Sequence, residues 1–333
     1  MIGCHSASPA APTQPSAAHY SVAAIALPGG RPEGIFLDYL GFDRATGFVW
    51  VPAGPTGSVD VVDSATGKLT RVEGFPTKEI ERNGKKRLVG PSSVTFGNGT
   101  VFVGNRGDST ICAMDEKVPT RGTCSPALDS MPDGIAYVAA TDEIWVTTPR
   151  DKSIRILDGK TLAQKERLEF DGEPEGFAVD LERHRFYTNL EDKDVTLAID
   201  LASHKTVATW HPDCGEQGPH GLRLAEHDGF LFVACSAKAQ ALDITHDGNI
   251  AGSLATGDGA DDLDYIAGTH RLYVAAAGAG NVTVADVGPG GSLTLVATVA
   301  TKKGGRNGVV DNKGTIYVAD GPTSELLVVT PAL

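Results

Sequence analysis

Residues 186–200 read FYTNLEDKDVTLAID: an aromatic β-strand, a polar loop and an alternating strand that ends in aspartate. The aromatic strand recurs seven times, as Val49-Trp50-Val51, Val101-Phe102-Val103, Ile144-Trp145-Val146, Phe186-Tyr187-Thr188, Leu231-Phe232-Val233, Leu272-Tyr273-Val274 and Ile316-Tyr317-Val318. The strand that follows it ends at Asp63, Asp115, Asp158, Asp200, Asp243 and Asp286, and only the last copy, residues 326–330, breaks the rule. We expect each aspartate to cap the next turn with its side chain.

The spacing of the copies predicts a seven-bladed β-propeller. Successive copies lie roughly 40 to 45 residues apart, except for a longer first interval, and this is the period of four-stranded propeller blades. The seventh copy has only three strands, so we expect residues 20–27 to supply its outer strand and to remove an exposed sheet edge. The predicted fold is therefore all-β, with residues 19–333 forming a single propeller of four-stranded blades.

The first 18 residues differ in composition from the rest of the chain. They are rich in Pro, Ala and Ser, which cannot build a core, and they predict a flexible tether. Met1-Ile2-Gly3-Cys4 resembles the end of a bacterial lipoprotein signal, although no apolar segment precedes it. The alternative is an incidental cysteine. On the first interpretation the protein is periplasmic or envelope-anchored, and it meets the membrane only through a lipid on Cys4.

The other four cysteines form two pairs along the sequence. Cys112 and Cys124 flank a predicted strand-to-strand turn, and Cys214 and Cys235 flank a predicted hairpin. Neither pair has the close spacing of a zinc ribbon. Two disulfides would suit an oxidising compartment, and four buried free thiols are the alternative.

The overall charge limits the class of partner. The formal net charge is −13 at pH 7, which argues against nucleic acid because that binding depends on Lys and Arg that neutralise phosphates. No apolar run approaches the roughly 20 residues that cross a bilayer. The long first interval contains a charged insert, residues 76–89, which we expect to be an exposed loop or extended hairpin. We expect a monomer that binds a small molecule.

Several motifs resemble those of a known family. Phe186-Tyr187-Thr188-Asn189, the aromatic-valine strands and the Asp-ended strands are similar to the YVTN-repeat (YncE-like) seven-bladed propellers of bacteria, over roughly residues 20–333. Shorter strings, such as Gly104-Asn105-Arg106-Gly107-Asp108-Ser109, look like a lipoprotein-bearing branch of that family. The resemblance implies a propeller and export. It implies no particular reaction, because a fold does not settle function.

One position in each copy is expected to face the central channel. The innermost strand of a blade lines the channel, and aligning the copies selects Asp38, Ser92, Asp133, Glu175, His220, Asp261 and Asn307. Three of them stand in a Pro-X-Gly sequence, in which proline fixes the approach and glycine leaves room beside the axis. Several carboxylates in one small ring take up protons or bind a cation.

These side chains predict a divalent-metal site. We expect the ion, calcium first and then zinc, magnesium or manganese, to be held from among Asp38, Asp133, Glu175, Asp261 and Asn307. The predicted catalytic residues are His220 and Glu175, and the predicted substrate-binding residues are Arg106, Arg150 and Arg306. Two alternatives stay open. The acids could be solvated by channel water, and the arginines could pair with the acids and hold the blades together.

Two functions of different class fit this pattern. The first is a metal-dependent hydrolase of a lactone, ester or phosphoester. The predicted ligand set is similar in outline to the calcium sites of gluconolactonase and paraoxonase-like propellers. The sequence Gly218-Pro219-His220-Gly221 resembles that around the channel histidine of the streptogramin lyases. No Gly-x-Ser-x-Gly, Walker or zincin motif offers a rival mechanism. The second is a non-catalytic, envelope-tethered binding propeller that uses the same face or the 76–89 insert.

Overall fold

The computed structural model describes residues 19–32, 34–82 and 84–332. The described residues form seven blade sheets, six with four strands and one with three, and one separate two-stranded hairpin. The innermost strands of the seven blades contact one another in cyclic order, and the seventh contacts the first. This closed ring confirms the predicted all-β, seven-bladed propeller. The proposed lipid-bearing Cys4 and the tether lie outside the described residues.

The strands are numbered along the chain. The N-terminal strand is β1 (Tyr20–Ala26), and the first blade contains β2 (Gly41–Asp43), β3 (Phe48–Ala53), β4 (Ser58–Asp63) and β5 (Leu69–Val72). The hairpin β6 (Lys78–Arg82) and β7 (Lys85–Val89) leads to the second blade, β8 (Pro91–Gly97), β9 (Thr100–Asn105) and β10 (Thr110–Asp115). The third blade contains β11 (Ile135–Val138), β12 (Glu143–Thr148), β13 (Ser153–Asp158) and β14 (Gln164–Glu169).

The remaining four blades follow the same order from the channel outward. The fourth contains β15 (Pro174–Asp180), β16 (Arg185–Leu190), β17 (Val195–Asp200) and β18 (Thr206–Trp210). The fifth contains β19 (Pro219–Ala225), β20 (Phe230–Cys235), β21 (Lys238–Asp243) and β22 (Asn249–Ala255). The sixth contains β23 (Ala260–Ile266), β24 (Arg271–Ala276), β25 (Asn281–Val287) and β26 (Leu293–Ala300). The seventh contains β27 (Gly305–Val310), β28 (Ile316–Asp320) and β29 (Glu325–Pro331).

Helical structure is limited to single turns. Among the described residues the helices are 3-10 turns at Gly54–Thr56, Pro149–Asp151, Glu191–Lys193, Ala267–Thr269 and Pro289–Gly291. None of the described helices has the length and apolar character that a membrane crossing requires.

The N-terminal strand closes the ring, as the sequence predicts. Strand β1 pairs antiparallel with β29 from Tyr20 opposite Pro331 to Ala26 opposite Glu325. It therefore becomes the fourth strand of the seventh blade. The pairing satisfies the outer backbone groups of β29 and ties the two ends of the described chain together.

The second blade replaces its fourth strand with a disulfide-linked segment. Cys112 of β10 is bonded to Cys124. Beside the disulfide, the backbone N–H of Ala113 donates to the Thr123 carbonyl oxygen, and that of Ser125 donates to the Ile111 carbonyl oxygen. A second disulfide joins Cys214 to Cys235. Both predicted pairs are therefore bonded, which is typical of an oxidising, extracellular-type compartment.

The core lies between the blades, because the second and third strands are covered on both faces by neighbouring blades. Trp50, Trp145, Phe186 and Phe232 of the repeated aromatic strands are completely buried. The rings of Trp145 and Phe186 stack across a blade boundary with centroids 4.6 Å apart. The repeated aromatic residues therefore fix the spacing between blades.

Most of the aspartates at the strand ends cap turns as predicted. The following aspartates each accept hydrogen bonds from backbone N–H groups two and three residues ahead: Asp63, Asp115, Asp158, Asp200 and Asp243. Asp286 differs, because its carboxylate accepts from Arg271 instead. The sequence rule therefore reflects local turn chemistry.

Candidate active site at the channel mouth

Five of the seven predicted channel residues meet at the centre of the ring. Asp38, Glu175, His220, Asp261 and Asn307 line one narrow cavity. Asp133 and Glu175 line a larger cavity that opens beside it. Ser92 lines neither, and its hydroxyl stays within its own blade, 3.5 Å from the Gly104 carbonyl oxygen. The structure thus brings together six of the seven positions.

A shared irregularity of the inner strands aims these side chains at the axis. In β15, β19, β23 and β27 the pairing with the second strand is interrupted after the first residue. The unpaired residues are Glu175-Gly176, His220-Gly221, Asp261-Asp262 and Arg306-Asn307. Bulges of this kind re-aim side chains near functional sites. The glycines are needed there, because a Cβ on Gly176 would stand 2.0 Å from the His220 carbonyl oxygen.

One part of the ring supplies its own positive charge. Arg106 pairs with Asp38, at 2.9 Å, and with Asp133. Arg306 lies 3.3 Å from Asp38 and 3.2 Å from Asp261. We call these five residues the arginine-paired half. Two of the three predicted substrate-binding arginines are thus engaged by acids of the ring, which was the alternative left open by the sequence.

An aromatic ring holds the two arginines of this half in place. The guanidinium carbons of Arg106 and Arg306 lie 5.2 Å and 5.5 Å from the centroid of the Phe36 ring. Asn307 donates through Nδ2 to Asp38, at 2.9 Å, which fixes the orientation of its amide. Cation–π contacts and charge-assisted hydrogen bonds together make this half rigid.

In another part of the ring, none of the described arginines forms an ion pair with the acids. Glu175, Glu191 and His220 each offer a ligand atom within 4.8 Å of the other two, and we call this group the carboxylate–imidazole cluster. His220 Nδ1 lies 3.2 Å from Glu191 Oε1 and 3.9 Å from Asp261 Oδ1. Its Nε2 lies 3.4 Å from the hydroxyl of Ser236. Glu191 enters from the 3-10 turn that follows β16.

Burial and crowding shift the pKa values of all three groups. Burial, followed by the hydrogen bond and charge of Glu191, raises the pKa of Glu175 well above its ordinary value. Burial also opposes ionisation of Glu191, but hydrogen bonds from His220 and Glu175 outweigh it and lower the pKa to about 2. Burial lowers the pKa of His220, yet contact with Glu191 and the charge of Asp261 raise it overall. The surroundings therefore favour the neutral form of Glu175 and the ionised form of Glu191.

Three buried oxygen atoms at the mouth have no hydrogen-bond partner within the described residues. They are Asp133 Oδ2, Glu175 Oε2 and Asn307 Oδ1. Native proteins leave few such atoms unsatisfied, because each costs about 1–3 kcal/mol. Carboxylate and amide oxygens are both atoms that bind metal ions. The chemistry of these side chains therefore fits a cation.

The charged insert folds over the mouth. Its hairpin, β6–β7, is exposed as predicted, but one side contributes Arg82 and Arg87 to a cavity of about 560 Å³. Arg150 and Glu191 line the same cavity. A second cavity, of about 840 Å³, lies on the other side of the hairpin and includes Lys85. The hairpin therefore shapes the approach to the channel.

Three residues of the site were not predicted to act in it. Glu191 lies in the polar loop of the repeat, and the sequence places it on the face of the channel arginines but gives it no role in the site. Arg82 and Arg87 belong to the basic cluster of the 76–89 insert, whose unusual length was the available signal. Neither feature shows by itself that the chain returns to the axis.

Comparison with known proteins shows the fold alone. No protein-family model and no curated protein matches the chain. Virginiamycin B lyase from Staphylococcus aureus matches with a TM-score of 0.71 and 15% identity, over 94% of this chain and 99% of that chain. A chain of the mitotic checkpoint complex matches with a TM-score of 0.73 and 11% identity, over 99% of this chain and 96% of that chain. The WD40 repeats of RRP9 match with a TM-score of 0.72 and 10% identity, over 93% of this chain and 97% of that chain. Enzymes and WD40 proteins thus share this architecture.

Proposed function

We propose that the channel mouth is the active site of a divalent-cation-dependent hydrolase that acts on a lactone, ester or phosphoester. The observation that carries the proposal is the carboxylate–imidazole cluster, in which ligand atoms of Glu175, Glu191 and His220 lie within 4.8 Å of one another. Glu175, which the sequence already predicts as a ligand, also has a buried Oε2 atom with no hydrogen-bond partner among the described residues. Calcium fits the oxygen atoms, and the imidazole also admits zinc, with magnesium and manganese as further candidates.

The carboxylate–imidazole cluster is where the cation would be held. Glu175 and Glu191 have no guanidinium within salt-bridge distance among the described residues, whereas Asp38, Asp133 and Asp261 do. A bound divalent cation polarises a carbonyl or phosphoryl oxygen and lowers the pKa of water, which is the chemistry this reaction requires.

The side chains of the site have separable roles in the proposal. His220 transfers the proton between the attacking water and the leaving group, and the nearby carboxylates of Glu191 and Asp261 stabilise its protonated form. Glu175 completes the ligand set when it gives up its proton. The arginine-paired half stays unchanged and excludes water from one side of the reacting group.

Hydrolysis with and without chelation tests this function. Purified protein would be analysed for bound metals and then assayed against a fluorogenic lactone, an aryl ester and a phosphotriester. We expect turnover that falls to background on chelation and returns with one added cation. Glu175→Gln should lower kcat at least 100-fold, which is the typical contribution of such groups.

A matched variant separates chemistry from general disturbance of the cavity. Glu173 lines the same cavity but lies outside the carboxylate–imidazole cluster. Glu173→Gln removes the same charge and should keep kcat within a few-fold. Full activity of Glu175→Gln, or of chelated protein, would rule out the cation-dependent mechanism. Absence of turnover on the whole panel would favour the alternative, a non-catalytic binding propeller.

The cellular setting is also part of the proposal. The aromatic-valine strands support kinship with the YVTN-repeat propellers, and the two disulfides support an oxidising compartment. We propose a periplasmic or envelope-anchored monomer that carries lipid on Cys4 and binds no nucleic acid. Mass spectrometry of the protein from a bacterial membrane fraction would detect the lipid, and Cys4→Ser should release the protein into the soluble fraction.

A further inference from the structure

Three arginines around the 560 Å³ cavity form no ion pair with any described residue. They are Arg82 and Arg87 of the hairpin and Arg150 of the turn after β12. Most arginines elsewhere behave differently: Arg71, Arg106, Arg155, Arg183, Arg185, Arg223, Arg271 and Arg306 each pair with an acid. In a chain with a net charge of −13, three unpaired arginines on one cavity are unusual.

The hairpin brings Arg82 and Arg87 to the same cavity as Arg150, which lies more than 60 residues further along the chain. Partial burial, followed by the charges of Arg82 and Arg106, lowers the pKa of Arg150. The charge of Arg82 also helps to lower the pKa of Glu191. Arg82 is thus close enough to influence both Arg150 and the carboxylate–imidazole cluster. Acids line the cavity as well, but none of the described ones forms an ion pair with Arg82, Arg87 or Arg150, so these three guanidinium groups are available to a bound anion.

We propose that Arg82, Arg87 and Arg150 form a subsite for a phosphate group on the substrate. This inference rests on the proposed hydrolytic function and narrows its substrate class to phosphorylated small molecules. Guanidinium groups match phosphate geometry through paired N–H donors, and several of them surround a tetrahedral dianion better than a planar carboxylate. A cavity of about 560 Å³ is of the size that holds a small organic ligand.

The same cavity connects the subsite to the reacting groups. Glu175 and Glu191 line it together with the three arginines, and the other cluster member, His220, has its ligand atom within 4.8 Å of theirs. A phosphate held by the arginines therefore leaves the rest of the substrate over the cluster. The hairpin supplies two of the three cations, which gives the 76–89 insert a role in substrate selection.

Binding of inorganic phosphate to cation-free protein tests the subsite without requiring turnover. Calorimetric titrations at pH 7 would use protein freed of metal on a chelating resin, with acetate as the second probe. We expect phosphate to bind at least tenfold more tightly than acetate. Arg82→Ala and Arg150→Ala should each weaken phosphate binding tenfold or more, as expected for the loss of a charge-assisted contact.

Lys85 provides the matched control for the loss of a positive charge. It is exposed on the same hairpin but lines the neighbouring cavity instead. Lys85→Ala should keep the phosphate affinity within twofold. Equal weakening by Lys85→Ala, equal binding of acetate, or no phosphate binding by the wild-type protein would each overturn the subsite.

A kinetic comparison separates this inference from the proposed function. Two aryl esters, one with a phosphate group and one without, would be assayed with the wild-type protein and Arg150→Ala. The subsite predicts a KM increase for the phosphorylated ester only. Hydrolysis with no such increase overturns the subsite alone. Tight, arginine-dependent phosphate binding without hydrolysis of any ester overturns the hydrolase and supports the anion site.

Discussion

The two parts of the channel mouth contain similar acids in different electrostatic surroundings. In the arginine-paired half, Arg106 and Arg306 neutralise three aspartates, and Phe36 supports both guanidinium groups. In the carboxylate–imidazole cluster no arginine of the described residues forms an ion pair with an acid, and burial together with Glu191 raises the pKa of Glu175. The comparison teaches that an acid facing a propeller channel stabilises the fold where an arginine of the chain pairs with it. Where no arginine pairs with it, the acid is available to bind a ligand.

The largest expected effect comes from removing an arginine of the paired half. Arg106→Met leaves Asp38 and Asp133, which are 7% and 8% exposed, with less neutralising charge. Loss of one partner of a buried ion pair costs about 3–5 kcal/mol. We expect the free energy of unfolding in urea to fall by about 3 kcal/mol. Arg44→Met, at an exposed arginine, should cost less than about 0.5 kcal/mol. Equal losses in the two variants would contradict the comparison.

Cation binding should stabilise the protein through the carboxylate–imidazole cluster alone. A ligand at 100 times its Kd that binds only the folded state adds about 2.7 kcal/mol. Urea unfolding with and without Ca²⁺, Zn²⁺, Mg²⁺ or Mn²⁺ should show this gain for one ion in the wild-type protein. Glu191→Gln should abolish the gain, whereas Arg44→Met should keep it. A gain that survives Glu191→Gln would place the ion elsewhere.

A paired acid far from the channel offers a reference for the pH response. Burial opposes ionisation of Glu143, but hydrogen bonds from Lys165, Thr141 and Trp145 outweigh it and lower its pKa below the ordinary 4.5. His204 Nε2 also faces it, at 3.7 Å. A lowered pKa means that this acid stabilises the fold above pH 4.5 and that the contribution is lost as the pH falls towards the folded-state value.

Glu143→Gln should therefore flatten the acid limb of the stability curve. We expect a loss of about 1–2 kcal/mol at pH 7 that shrinks as the pH falls below 4.5, since hydrogen bonds to a charged group contribute about this much. Urea unfolding of both proteins from pH 7 to pH 3 measures the difference. A constant difference across this range would show that Glu143 does not titrate in this way.

The smallest expected effect comes from Glu175, whose pKa is raised by burial and by Glu191. Glutamine has the shape of the neutral glutamate that this raised pKa favours. We expect the free energy of unfolding of cation-free protein to change by less than about 1 kcal/mol. A loss as large as that of Arg106→Met would mean that Glu175 is ionised and paired, and the two parts of the mouth would then be alike.

The sequence repeat predicts most of the architecture and part of the candidate site. Short-range patterns, such as the aromatic strand of Trp145 or the aspartate cap at Asp158, predict blades because they act within a few residues. The channel positions Glu175 and His220 also follow from the repeat. Their partners do not, since Glu191 lies in a 3-10 turn and Arg82 in the inserted hairpin, and the direction of both is set by packing against neighbouring blades.

The sequence by itself determined the number of blades, the closing strand, the two cysteine pairs and which residues stand at the inner strands. These features depend on local period, turn chemistry and composition, which can be read in chain order. Only the tertiary structure decided which acids are neutralised from within and which are left for a ligand. That distinction depends on contacts such as Arg106 with Asp38 and Arg306 with Asp261, made across 68 and 45 residues of chain. Coulombic interactions act over ångströms in space, and spacing along the chain does not record them.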